Sequence, residues 1–180
     1  MLPESLLPRF DAQLRPSGIV TGTSYSMVLR PPEDGDVEGL VAQLRERSGY
    51  REWKYYGHDG PELAERLRAA GLQPEDEETV VVAEAASIPP PPPDVELSHD
   101  SEAFVELASQ VFGRRHGLPQ KAVAVVAIVD GQPVSGGRVG FEDGVEFAGL
   151  FGGVTLPEYR GRGLYRATVA KRAELARERG

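Results

Sequence analysis

The chain has 180 residues, of which 40% are hydrophobic and 27% charged, so it is a soluble globular protein with room for one ordinary domain or two small ones. It contains no cysteine, which excludes disulfides and thiolate zinc sites, and its net charge of −8 disfavours a nucleic-acid partner. No apolar run is long enough to cross a bilayer, and the first residues lack the pattern of a secretion signal. Cytoplasmic residence without a membrane partner is therefore the expectation.

The first half of the sequence alternates between strand and helix patterns. β-Branched and aromatic runs predict strands, and apolar residues at helical spacing predict helices. The predicted elements are a strand at Thr23–Leu29, a helix at Val37–Arg47, a strand at Arg51–Tyr56, a helix that Asp59 caps and Gly71 ends, and a strand at Thr79–Ala83. We therefore expect an N-terminal α/β half over residues 1–87.

Five consecutive prolines, Pro89–Pro93, separate this half from the next. Proline fixes φ and removes the backbone donor, so the run favours a polyproline II segment rather than a helix or a sheet strand. Residues 88–94 are therefore predicted to be a linker.

The second half, residues 95–180, carries a different pattern. One helix and several strands that turn back on each other precede a long closing helix. The predicted elements are a strand at Val95–Leu97, a helix at Ser101–Phe112 capped by Ser101, strands at Ala122–Val129, Pro133–Phe141 and Val145–Phe151, and a helix at Gly163–Arg179, with a hairpin turn at Asp130-Gly131. The expected fold class is α/β (α+β), with a mixed, mainly antiparallel sheet flanked by helices.

The last strand and the last helix are joined by the turn Arg160-Gly161-Arg162-Gly163. A helix N-terminus offers unpaired N–H groups and partial positive charge, glycines allow close approach of the backbone, and the arginines add charge. Upstream, Gly152-Gly153 marks a bulge or a close approach by a ligand. Together these features predict a grip on a long molecule with a diphosphate at one end.

The segment GGVTLPEYRGRGLYRATVAKRAELARERG resembles the coenzyme A-binding motif of the GNAT acetyltransferase superfamily, with the Pro-x-x-Arg-Gly-x-Gly turn at Pro157–Gly163. The resemblance covers about Val95–Gly180. It implies a GNAT-like sheet, acetyl-CoA as cosubstrate and no metal. It also implies that the backbone of the last strand meets the pantetheine arm and the acetyl carbonyl, and that the turn amides hold the pyrophosphate. The strand positions are Gly153, Val154 and Thr155, and the turn positions are Arg160, Gly161, Arg162, Gly163, Leu164 and Tyr165.

Tyr165 departs from the family, which usually keeps Gly or Ala there; our interpretation is a tyrosine in the core. Glu146 is the one carboxylate on the predicted last strand, and it is our candidate general base. The three histidines, His58, His99 and His116, have no metal-ligand spacing.

The function expected from the resemblance is direct transfer of an acetyl group from acetyl-CoA to an amine. The expected acceptor is an amine of a small molecule or a peptide. The sequence leaves open whether the chain forms a homodimer. The alternative is a non-catalytic module that binds acyl-CoA or has a regulatory role.

The family ordinarily has a further strand where this sequence ends at Gly180. Either the chain is a fragment of a longer protein, which we favour, or the first half supplies the missing strands, as part of a rearranged single domain or, with a further C-terminal portion, as a degenerate GNAT-like first unit of a tandem pair. In the second case Tyr55 and Tyr56 become candidates for the general acid.

Overall fold

A computed structural model describes residues 6–22, 25–33, 35–113, 117–119 and 121–179 of the chain. The chain forms two compact units, Met1–Val80 and Val81–Gly180. Each unit contains its own sheet, of three strands in the first and four in the second.

The first unit is a small α/β structure built on a three-stranded sheet. Its elements are α1 (Leu7–Leu14), β1 (Ile19–Thr21), β2 (Tyr25–Val28), α2 (Val37–Arg45), β3 (Tyr50–Trp53) and α3 (Pro61–Ala69). Strand β2 pairs antiparallel with β1 and parallel with β3, so α2 is the crossover between two parallel strands. Apolar side chains of α2 and α3 pack with Val28 and Trp53 to form the core of this unit.

The sequence expectations for the first half need correction. The strand predicted at Thr79–Ala83 is wrong: no strand pairs with it among the described residues, and Val81 is 83% exposed. β-Branched residues favour a strand only where a neighbouring strand is available to pair with them. Helix α1 and strand β1 were not predicted, and Thr23 of the predicted first strand lies outside the described residues.

Asp59 does not cap the helix that follows it. The N-cap of α3 is Gly60, and Pro61 occupies the first helical position. The carboxylate of Asp59 instead accepts a hydrogen bond from the Tyr56 amide (2.9 Å) and pairs with the buried side chain of Arg15 (2.7 Å). An ion pair to a residue 44 positions away is a tertiary contact that the local capping pattern does not encode.

The second unit is a four-stranded antiparallel sheet with a long helix on each face. Its elements are a 3₁₀ turn (Ala85–Ser87), β4 (Glu96–Ser98), α4 (Ser101–Phe112), β5 (Ala122–Val129), β6 (Gln132–Gly140), β7 (Gly149–Thr155), a 3₁₀ turn (Pro157–Tyr159) and α5 (Leu164–Arg179). The strand order is β4-β5-β6-β7. Ala124 and Val126 pack with α4, and Ala127 packs with Leu164 of α5. Because alternate residues of a strand face opposite ways, the two helices cover opposite faces.

Several predictions in this unit are confirmed. Strand β5 and helix α4 have the predicted bounds, and Asp130 and Gly131 both have positive φ (51° and 77°), as a two-residue type I′ hairpin requires. The cap of α4 is not Ser101, however, because the Asp100 carboxylate accepts the hydrogen bond from the Ala103 amide (2.9 Å). Residues 88–95 contain neither helix nor strand, and the carbonyl oxygens of Ala85 and Ile88 accept hydrogen bonds from Arg177 of α5.

The last strand is four residues later than predicted: β7 spans Gly149–Thr155, whereas the sequence pattern placed it at Val145–Phe151. Residues 141–148 form the connection instead. The pairing of Gly149 with Gly140 sets where β7 begins, so the register with β6 overrides the local alternation of apolar residues. Glu146 therefore lies in the connection, on the exposed surface, and not on the strand.

Candidate functional site

A β-bulge interrupts the pairing of β7 with β6. Val154 pairs with Gly136, and Phe151 pairs with Arg138, so Gly152 and Gly153 together face the single residue Gly137. Gly152 has a φ of 63°, a value that residues with a side chain rarely adopt. The bulge re-aims the peptide groups of β7, as the two glycines in the sequence indicated.

Strand β7 is also an edge strand. In the part of the chain that the structure describes, only β6 pairs with it. An edge strand carries a row of peptide N–H and C=O groups that no neighbouring strand uses. An extended ligand can therefore add its own polar groups along this edge, as a peptide does in strand addition.

A cleft of about 450 Å³ lies where β7 ends and α5 begins. It contains all of the candidate cofactor-binding residues, and the end of α4 supplies a further apolar wall. The lining residues are Val111, Phe112, Gly153, Val154, Thr155, Tyr159, Arg160, Gly161, Arg162, Gly163, Leu164 and Tyr165. Chain segments from α4, β7 and α5 therefore converge on one site.

The turn into α5 presents amide groups to this cleft. The first backbone hydrogen bond of α5 runs from the Ala167 amide to the Gly163 carbonyl (3.0 Å). For the amides of residues 161–166, no acceptor occurs among the described residues. Gly161 and Gly163 have φ values of 76° and 77°, which let the chain turn sharply enough for consecutive amides to face one point.

The charge at this turn is positive. Arg160 and Arg162 are exposed, and neither forms an ion pair with a described carboxylate. The Arg160 Nε donates to the Thr155 carbonyl (3.3 Å), and the Arg162 guanidinium lies 5.3 Å from the centre of the Tyr159 ring. Both cations are therefore held near the unpaired amides while their charges remain available to an anion.

The end of β7 is fixed by side-chain hydrogen bonds. The buried hydroxyl of Ser135 donates to the Val154 carbonyl (3.0 Å) and lies 2.8 Å from the Thr155 hydroxyl. The carbonyls of Val154 and Thr155 thus already have protein donors, so a ligand at these two positions depends more on the other backbone groups of the strand.

Tyr165 is not a core residue, which corrects the interpretation from the sequence. Its side chain is 47% exposed, and its ring lies over Gly153. A Cβ atom built on Gly153 would approach the Tyr165 ring to 2.5 Å and the hydroxyl oxygen to 2.7 Å. The ring therefore lies against the bulge, while Gly153 itself remains exposed.

Sequence reasoning missed two residues that line the cleft and one that lies behind it. Phe112 and Tyr159 line the cleft, and Arg172 lies fully buried on α5 behind Tyr165. The helical spacing pointed to Val111 but gave no signal for Phe112. Arg172 is one of many charged residues in the sequence of α5, and nothing in that pattern indicated that its side chain is buried.

The cleft lining contains no Asp, Glu or His within the described part of the chain, and Glu146 is not among its residues. Over the same residues, no group of three or more His, Asp or Glu side chains is arranged to hold a metal ion. None of the helices described here combines the length and the apolar character that crossing a bilayer needs. His116 lies outside the described residues.

Comparison with solved structures identifies the fold. No protein-family model matches the sequence, and no curated protein is significantly similar to it. A GCN5-related N-acetyltransferase from Kribbella flavida aligns over 96% of this chain and 78% of its own, with a TM-score of 0.59 and 18% identity.

Two other structures align with about half of the chain. An acetyltransferase from Trypanosoma brucei matches 48% of this chain and 78% of its own at 22% identity, with a TM-score of 0.39. A proposed acyl-CoA N-acyltransferase from Klebsiella pneumoniae matches 48% of this chain and 66% of its own, just under two thirds, at 18% identity with a TM-score of 0.42. The fold assignment rests on the Kribbella structure, which spans nearly the whole chain, and it confirms the resemblance at the level of the fold. The chain has the fold of the GCN5-related N-acetyltransferases.

Proposed function

We propose that this chain binds acetyl-CoA and transfers its acetyl group to an amine. The observation that carries the proposal is the cleft at the end of β7, where an edge strand with a bulge leads to unpaired amides and two arginines without acidic partners. A diphosphate fits the amides and the arginines, and a linear pantetheine arm fits the strand edge.

The residues that would hold acetyl-CoA fall into two groups. The amides of residues 161–166, together with Arg160 and Arg162, would hold the diphosphate. The exposed edge of β7 around Gly153 would hold the arm and polarise the acetyl carbonyl, because fixed N–H donors stabilise a developing oxyanion. The amine nitrogen then attacks the carbonyl carbon, the C–S bond breaks, and coenzyme A leaves with the electron pair on its sulfur. The amine loses a proton to water or to a base, and the sulfur takes up a proton to give the free thiol. Small-molecule or peptide amines are the proposed acceptors.

The diphosphate grip is tested by calorimetric titration with coenzyme A. Arg160→Glu and Arg162→Glu should each weaken binding about tenfold or more, because each reverses a charge beside the diphosphate. Arg179→Glu is the matched control: it makes the same charge change at the far end of α5, about 22 Å away at about 1.5 Å per residue. That distance exceeds the Debye length of about 8 Å in physiological salt. Unchanged affinity in both cleft variants would remove the basis of the proposal.

A non-catalytic acyl-CoA-binding module is the second candidate, because no carboxylate or histidine lines the described cleft. Release of free thiol in the presence of a panel of amines separates the two functions. The base role of Glu146 stays a prediction: Glu146→Gln should lower turnover about 100-fold if this carboxylate accepts the amine's proton. Tight coenzyme A binding without turnover on any amine would favour the non-catalytic module.

A further inference from the structure

Helix α4 ends in an exposed aromatic ring. Phe112 is the last residue of the helix, and its side chain is 51% exposed. Gly113 follows with a φ of 71°, the left-handed conformation that commonly ends a helix. Phe104 and Leu107 of the same helix are buried in the core of the second unit, so α4 is fixed against the sheet. The backbone at Phe112 is therefore held in place while its ring remains open to solvent.

The Phe112 ring lines the cleft at the end of β7. Val111 and Phe112 form the part of the lining that belongs to α4, which we call the α4 wall, whereas Leu164 and Tyr165 belong to the start of α5. The two helices cover opposite faces of the sheet, so the α4 wall approaches β7 from the face opposite to α5. Single apolar side chains are common on protein surfaces, but one that lines a cleft offers apolar area to a ligand.

The proposed binding of acetyl-CoA assigns no part of the ligand to the α4 wall. The diphosphate uses the turn amides with Arg160 and Arg162, and the arm uses the edge of β7. These two arginines are the only charged side chains among the described residues of the lining, and the diphosphate compensates their charge. An acceptor that reaches the acetyl carbonyl from the other face of the sheet therefore meets Val111 and Phe112. A second charge on that acceptor would lose its water there without gaining a partner.

We propose that the acceptor is an amine carried on an uncharged aromatic ring, and that this ring packs against Phe112. The inference rests on the proposed function and names the acceptor class of the same site. Two aromatic rings attract each other in offset or edge-to-face arrangements, and their contact removes apolar area from water. Phe112 is thus a residue that determines specificity. It takes no part in the bond changes, which are those given for the proposed function.

A matched set of three amines tests the acceptor class. Benzylamine, 4-(aminomethyl)benzoate and 1,4-bis(aminomethyl)benzene share one aminomethyl group on a benzene ring and differ in the charge at the opposite end. Release of free thiol from acetyl-CoA gives kcat/KM for each. Benzylamine should exceed both charged amines about tenfold or more, because their second charge would be desolvated against the α4 wall.

Two variants of Phe112 test the residue. Phe112→Ala removes the ring and should lower kcat/KM for benzylamine about tenfold or more, with a change of less than about threefold for the charged amines. Phe112→Leu retains much of the apolar area and should stay within about threefold of the wild type for all three. Calorimetry should show the same affinity for coenzyme A in both variants and in the wild type.

Tyr50→Ala is the matched control. It removes a ring of nearly equal exposure, 50%, from β3 of the first unit. Tyr50 does not line the cleft, so this variant should acetylate all three amines as the wild type does.

The outcomes separate this inference from the function beneath it. If coenzyme A does not bind the wild type, or if it binds and no amine is acetylated, the proposed function fails and this inference fails with it. If the amines are acetylated but the charged ones equal benzylamine, the acceptor class is overturned. If Phe112→Ala lowers kcat/KM equally for all three amines, or weakens coenzyme A binding by the same factor, Phe112 does not select the acceptor. In these last two cases the acetyl transfer itself stands.

Discussion

At the scale of single residues, Gly137 has no side chain, and this leaves space for the guanidinium of Arg172 inside the second unit. A Cβ atom built on Gly137 would lie 2.6 Å from the Arg172 Cζ atom. The guanidinium is fully buried and held by carbonyl oxygens of α5 and β6, so it has little freedom to move aside. The glycine and the arginine therefore form a complementary pair across the sheet–helix interface.

Gly137→Ala should consequently destabilise the protein by about 1–3 kcal/mol, the usual effect of overpacking a core. Gly140→Ala is the matched control on the same strand, since its added Cβ would meet its nearest neighbours at 3.8 and 3.9 Å, ordinary contact distances. It should change stability by no more than about 0.5 kcal/mol. Urea unfolding followed by circular dichroism compares the two. Equal effects would contradict the close packing of Arg172 on β6.

At the scale of elements, helix α4 shows how narrowly a local pattern can miss. Sequence reasoning gave its bounds but assigned the cap to Ser101, one residue too late. Asp100 has the extended backbone (φ −131°, ψ 104°) that an N-cap requires, and its carboxylate accepts from the Ala103 amide. Both residue types are good caps, so the choice depends on which of them enters the helix.

Asp100→Ala should therefore destabilise the second unit by about 1 kcal/mol. Ser101→Ala should have no such effect, because Ser101 is already the first helical residue and alanine has the higher helix propensity. Urea midpoints of the two variants provide the comparison. If Ser101→Ala lost more stability than Asp100→Ala, Ser101 would be the N-cap, as the sequence pattern suggested.

Strand β7 and the segment at Thr79–Ala83 differ from their predictions for a related reason. Each has the residues of a strand, but a strand forms only where another strand offers backbone partners. Strand β6 offers them from Gly149 onward, and among the described residues none does so for Thr79–Ala83. Because β7 begins at Gly149 and not at Val145, the candidate base Glu146 lies outside the strand.

At the scale of the whole molecule, the charges that hold the first unit together make its stability depend on pH. Burial alone would raise the pKa of Asp11, but hydrogen bonds with Arg15 and His58 outweigh it, and the pKa is lowered from 3.8. A carboxyl with a lowered pKa stabilises the folded state while it is ionised. This contribution is present above about pH 4 and is lost as the pH falls through the folded-state value.

The first unit should therefore lose stability below about pH 4, and it should lose less in Asp11→Asn, which has no such ionisation. Trp53 is the only tryptophan of the chain and lies in the core of this unit, so its fluorescence reports on this unit alone. Urea titrations between pH 6 and pH 2.5 measure the effect. The same acid dependence in both proteins would show that Asp11 does not contribute it.

The sequence by itself determined the elements whose patterns are local: helix α4, the hairpin of β5 and β6, helix α5, and the glycine–arginine turn before it. Residues close in sequence decide these features through periodicity, turn geometry and propensity. The tertiary structure alone decided the register of β7, the pairing of Asp59 with Arg15, and the meeting of Arg172, Tyr165 and Gly153. These depend on which distant segments supply hydrogen-bonding partners and space, and no local pattern encodes that.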